Sequence, residues 1–191
     1  MNRRRALIGA GTEENNHLLF SLENQSVSEG DYFSSRTAIF AAGVTSTTLL
    51  DITTLSDPTS SSSSARLYKL LASWDSPANR WAFMLGKSTQ YVNDQRFNWM
   101  GTQTILTGSK TAAGRHRICL KHQADSNTIT VSYKYNNESI ITMQSTITFI
   151  STTSSIVAGA ANGQGLPPGT INQFSIYDEI ISDDDINSFF T

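Results

Sequence analysis

The chain has 191 residues, with 14 Lys and Arg against 16 Asp and Glu, a formal net charge of −2 and a sequence pI of about 5.9. Only 16% of residues are charged and 38% are hydrophobic, which excludes the charge-rich, aromatic-poor texture of a disordered chain. The balance also lacks the basic excess of a free-standing nucleic-acid binder, no run approaches the roughly 20 apolar residues of a membrane span, and the lone Cys119 rules out an intrachain disulfide.

Residues 1–16 read as an extended arm: basic at Arg3, Arg4 and Arg5, then small, then acidic at Glu13 and Glu14. The apolar run from Ala6 to Ala10 is too short for the h-region of a signal peptide, so the expectation is a protein made in the cytoplasm without export. The three arginines are the candidate attachment point to an acidic partner surface.

From His17 onward the texture is that of strands. Leu18 to Leu22 is a first candidate, followed by a turn-rich stretch from Glu23 to Asp31, then Tyr32 to Phe40 and Thr47 to Leu55. Thr59 and Ser60 to Ser64 form a low-complexity loop. Ala65 to Trp74 and Arg80 to Gly86 read as a hairpin around Ser76-Pro77-Ala78-Asn79, with Trp81, Phe83 and Leu85 on one face. Lys87 to Gly101 is less regular, and Thr102 to Leu106 resumes strand character.

The second half is sharper. Across Arg115 to Gln123, Ile118, Leu120 and His122 alternate with Arg117, Cys119 and Lys121. Cys119 therefore faces away from His116 and His122 and has no base beside it, so it reads as a packed small side chain. Asp125-Ser126-Asn127 and Asn136-Asn137-Glu138 are turns on either side of Thr128 to Tyr135. Ser139 to Met143, Thr146 to Ile150 and Ser155 to Gly159 continue the series. Thr170 to Tyr177 is a last strong strand, with Ile171 out of phase with Phe174 and Ile176. Ser182 is a good N-cap, Asp183-Asp184-Asp185 suit a helix N-terminus, and Ile186, Phe189 and Phe190 form an apolar stripe, which predicts one short helical turn. So many short strands with so little helix predict an all-β fold, a two-sheet antiparallel sandwich.

Gly114-Arg115-His116-Arg117-Ile118-Cys119-Leu120-Lys121-His122, the following Asp125 to Tyr133, Ile156-Val157-Ala158-Gly159-Ala160, and the close Pro168-Gly169-Thr170-Ile171-Asn172-Gln173-Phe174-Ser175-Ile176-Tyr177 with Ile181-Ser182-Asp183-Asp184-Asp185-Ile186 carry a resemblance. In order and spacing they resemble the laminin-G-like branch of the concanavalin A-like lectin/glucanase superfamily. The resemblance covers residues 17–191 and is carried mainly by the part after Gly114. It implies a jelly-roll sandwich in which the last strand pairs near the first.

The superfamily includes glucanases that carry a Glu-x-Asp-x-(x)-Glu strand, because retaining hydrolysis needs two carboxyl groups about 5–5.5 Å apart. No such run exists here; Glu29-Gly30-Asp31 has no third acid behind it. Calcium-binding relatives need 6–8 oxygen ligands, whereas Asp125 with Asn127, and Asn136 with Glu138, are accounted for as turn chemistry, and Asn172 and Gln173 stand where an acid often follows the closing Ile. His17, His116 and His122 lack metal-ligand spacing. No cofactor and no metal is expected.

Sugars present CH faces and OH edges, so their binding calls for aromatic rings beside amides and charged groups. The cluster Tyr91, Asn93, Arg96 and Trp99 is the candidate carbohydrate site. The resulting expectation is a non-enzymatic binding or decoration domain of a bacteriophage virion (head, fibre or tail) that contacts host glycans, with other virion proteins or further copies of itself as a homo-oligomer as partners, and neither nucleic acid nor membrane. A purely structural assembly domain and an atypical glycoside hydrolase are the alternatives.

Overall fold

The computed structural model describes residues 17–40, 43–55, 67–74, 81–86, 95–99, 102–105, 113–146, 154–159 and 165–191. In chain order they give β1 (Leu18–Val27), β2 (Phe33–Phe40), β3 (Ser46–Thr54), β4 (Leu67–Trp74), β5 (Trp81–Gly86), β6 (Gln95–Trp99), β7 (Thr102–Ile105), β8 (Gly114–Gln123), β9 (Thr128–Tyr135), β10 (Ile141–Thr146), β11 (Ser154–Ala158), β12 (Gly169–Tyr177) and α1 (Asp183–Phe190). The N-terminal arm with Arg3, Arg4 and Arg5 lies outside the described residues, as does the expected continuation of a strand through residues 147–150.

Two six-stranded sheets face each other, ordered β1-β12-β3-β8-β9-β10 and β2-β11-β4-β5-β6-β7. Every pairing is antiparallel. The architecture is the expected jelly-roll sandwich, and β1 does pair with β12.

Strict alternation builds the core. On β3 Leu50 and Ile52 point inward, on β8 Ile118 and Leu120, on β9 Ile129, Val131 and Tyr133, and all are buried. They meet Leu70, Leu71, Phe83, Ile156 and Ala158 of the other sheet. Burying each large apolar side chain contributes about 1.5–3 kcal/mol. The Phe83 and Tyr133 rings, 4.8 Å apart, tie the two sheets together. His116 lies on the same inner face, with its Nδ1 2.9 Å from the Tyr133 hydroxyl, and His122 is fully buried there too. Both histidines are thus internal structural groups.

Several details differ from the sequence reading, among them strand β6 inside the stretch expected to be irregular. β1 does not stop at Leu22: it runs through Glu23 to Ser26 because β12 supplies a ladder for its polar half. Ile171 is not out of phase with Phe174 and Ile176, because a register shift between Ile171 and Gln173 inserts Asn172 as an extra residue and all three apolar side chains reach the core. The C-terminal element is an eight-residue helix rather than a single turn. Ser182 caps it, accepting from the Asp185 amide at 3.1 Å.

Both proposed turns hold. Asn127 and Asn136 take left-handed φ values of 47°, which Asn tolerates.

Candidate functional site

The sequence-derived cluster is only partly described. Tyr91 and Asn93 lie outside the described residues. Arg96 and Trp99 are on β6, where the ladder pairs Arg96 with Met84 and Trp99 with Trp81. The side chains of Arg96 and Trp99 lie outside the described part of the structure.

The outer face of the first sheet holds an ion pair centred on Asp51. Asp51 on β3 is buried, with its side chain 6% exposed. It accepts two bonds from Arg115 Nε, at 3.0 and 3.1 Å, and one from Nη2 at 2.6 Å. The bulge residue Asn172 donates to Asp51 Oδ1 at 2.8 Å and to Thr53 Oγ1 at 2.9 Å. Arg117, directly opposite Asp51 in the ladder, is fully buried and donates from Nη2 to the Asn136 carbonyl at 2.9 Å. Burial lowers its proton affinity and neighbouring Arg115 adds to this, while Asp51 opposes. Asp51 is thus committed to holding cations on the sheet and is not placed to donate a proton.

The same face carries α1. Ile186 and Phe190 bury against Leu49, Cys119 and Ile181, and Lys134 Nζ donates to the Phe190 carbonyl at the helix end, where a cation is favoured. The link from β12 to α1 is pinned by Thr47, whose hydroxyl donates to the Glu179 carbonyl at 2.7 Å and accepts from the Ile181 amide at 3.2 Å.

Between this link, β12 and α1 lies a groove of about 620 Å³, within the roughly 300–1,000 Å³ span of small-ligand sites. Tyr177 and Phe189 offer half-buried rings, and Gln173, Glu179, Asp185 and Ser188 offer polar groups around them. Among the described residues no Lys or Arg lines it. Burial pushes the Tyr177 hydroxyl up, a bond with Ser175 opposes this, and the carboxylates of Asp185 and Glu23 push it further up. His17 sits beside the groove, its Nδ1 2.9 Å from Asp178 and its Nε2 3.9 Å from Glu179.

The groove was not singled out from sequence. The helical stripe pointed to Ile186, Phe189 and Phe190 as docking residues; all three dock, Ile186 and Phe190 buried and Phe189 half-buried against their cluster while also lining the groove. The usable signal was an aromatic ending a strand, Tyr177, followed at once by acids and a capped helix.

No family model matches the chain, and no curated protein matches it. Solved structures do resemble it. The CBM40 of the Ruminococcus gnavus IT-sialidase, bound to α2,3-sialyllactose, superposes with a TM-score of 0.62 at 13% identity, over 91% of this chain and 100% of that one. The leech intramolecular trans-sialidase, complexed with 2,7-anhydro-Neu5Ac, gives 0.62 at 14% identity over 92% of this chain. NanB sialidase from Streptococcus pneumoniae gives 0.57 at 13% over 90%. The chain spans 28% of each of those two sialidases. The likeness is one of fold.

Proposed function

We propose that this sandwich is a non-catalytic carbohydrate-binding domain. The observation that carries the reading is the groove beside α1, where two half-buried rings stand among amide, hydroxyl and carboxylate groups. Rings cover the CH faces of a sugar while the polar groups take up its hydroxyls. The resemblance in fold to a carbohydrate-binding module seen with a sialylated oligosaccharide supports it.

A hydrolase is the weaker reading. A general acid is kept protonated by apolar burial, whereas the Glu179 side chain is 40% exposed and Asp185 is exposed and bonded to Ser182. The buried carboxylate, Asp51, is held by Arg115 and Asn172.

The setting we propose is the surface of a bacteriophage virion, with residues 1–16 as the attachment arm; it is supported by the resemblance carried by residues 114–186. Mass spectrometry of purified particles tests the setting.

A glycan array probed with the full chain tests the function. Binding that Phe189→Ala abolishes, with the circular dichroism spectrum unchanged, supports the groove; binding that only Trp99→Ala abolishes moves the site to β6. Failure to bind any glycan, together with a symmetric oligomer in solution, replaces the proposal with an assembly role. Turnover of a polysaccharide overturns the non-catalytic reading.

A further inference from the structure

We infer that the groove between β12 and α1 takes an uncharged sugar and turns away sialylated and uronic glycans, an inference that rests on the carbohydrate-binding reading above. The charge of the lining decides it. Glu179 and Asp185 are the carboxylates of the wall, and among the described residues no Lys or Arg stands opposite them. From Asp178 to Asp185 the chain carries five acids and no base.

The described basic groups near this segment already have partners. His17 is bonded to Asp178, with its other ring nitrogen 3.9 Å from Glu179. Lys121 reaches Asp183, 3.8 Å away and outside the lining. On the sheet beneath, Arg115 is bound to Asp51, and Arg117 is fully buried. No described guanidinium is therefore offered to the groove as a fork for a sugar carboxylate, the pairing that planar carboxylate recognition uses. An acidic glycan entering here would set its carboxylate against two others, and like charges brought together at an interface are strongly unfavourable.

A neutral sugar meets the opposite situation. Its hydroxyls donate to the carboxylates of Glu179 and Asp185 in charge-assisted bonds, and it can also bond with Gln173 and Ser188. One CH face lies against Tyr177 or Phe189. Such a ligand lacks the negative charge of the sialyllactose held by the structural neighbour, so a shared sandwich would serve two ligand classes.

The experiment is an array and calorimetry of the full chain against neutral oligosaccharides, each set beside its sialylated or uronic counterpart (lactose beside sialyllactose, for instance). The expected result is binding among the neutral members, at least about tenfold weaker for the acidic counterpart. The gap should narrow in high salt, which screens exposed charges. Glu179→Gln with Asp185→Asn should also narrow the gap, because the mutations remove the repulsion while weakening the neutral complex. Acidic counterparts bound as tightly as neutral ones, or neutral binding untouched by both that double variant and Phe189→Ala, overturns this inference and leaves the carbohydrate reading standing. No binding to any glycan overturns that reading and this inference with it.

Discussion

Asp51 and Arg115 are diagonal, not opposite, neighbours across the β3–β8 ladder: Asp51 pairs in register with Arg117, yet its carboxylate is gripped by Arg115 two residues away, at 2.6 Å. The diagonal reach leaves Arg117 to turn to the Asn136 carbonyl. Asp51→Ala would strip the buried carboxylate from beneath two guanidinium groups. Breaking a buried pair costs about 3–5 kcal/mol, and the half-exposed Arg115 recovers part of its hydration, so the expected loss is about 3 kcal/mol in urea unfolding. Arg115→Ala should cost less, since it leaves the Asn172 bond in place.

Gly114→Ala tests the entry to β8. Gly114 has φ +126°, and an added Cβ would stand 2.8 Å from Tyr135 Cε2. The Tyr135 ring is fixed by its hydroxyl donating to the Ala113 carbonyl at 2.6 Å, so it does not swing aside freely. Left-handed strain and the clash together should cost about 2–3 kcal/mol, seen as a fall in Tm of roughly 4–12 °C for a domain of this size.

The stability profile should fall at both ends of the pH scale. Burial pushes the Cys119 thiol up from 9.0 to about 12, with Lys121 opposing. Burial, with Glu29 adding, takes the Tyr68 hydroxyl from 10.0 to about 12. The folded protein keeps these protons while the unfolded chain releases them, so their stabilisation is complete below pH 9 and is lost as pH rises from 9 to about 12. Burial lowers the affinity of His122 for a proton, partly offset by a backbone bond with Val44. The unfolded chain takes that proton first, so stability also declines as pH falls below the ordinary histidine value near 6.5. Denaturant midpoints measured from pH 5 to 11 check both limbs, and Cys119→Ala should delay the alkaline decline. At pH 8 the native thiol should resist a thiol reagent and react only once the chain unfolds.

Ser182→Ala removes the oxygen that accepts from the Asp185 amide and the hydroxyl that donates to Asp185 Oδ2 at 2.6 Å. The expected cost is about 1 kcal/mol. Because Asp185, Ser188 and Phe189 form one wall of the groove, a frayed helix start should weaken ligand binding more than the loss of global stability alone would.

The sandwich was legible because its strands follow period-2 alternation: the separation of Ile118, Leu120 and His122 from Arg117, Cys119 and Lys121 onto two faces came directly from sequence. So did the helix, whose cap and stripe are local signals. What stayed hidden depends on strand order. A bulge at Asn172 cannot be read without knowing that β3 lies beside β12, and it brings Ile171 into the core and Asn172 onto Asp51. The groove likewise joins residues of β3, β12 and α1 that no single segment displays. The aromatic cluster around β6 suggested a site from composition alone, while β6 itself, the strand that carries Arg96 and Trp99, was not read from sequence.

The strand order of the first sheet also sets a timetable for folding. β1 and β3 both hydrogen-bond to β12, which lies near the other end of the described chain. During synthesis neither can complete its ladder until Tyr177 has left the ribosome, so the open edges of β1 and β3 wait while the strands between them and β12 are made. Such long-range pairing is slow, and the unpaired edges invite association with other chains. The polar half of β1, from Glu23 to Ser26, gives that waiting strand a hydrophilic stretch, the kind of edge that is less prone to such association.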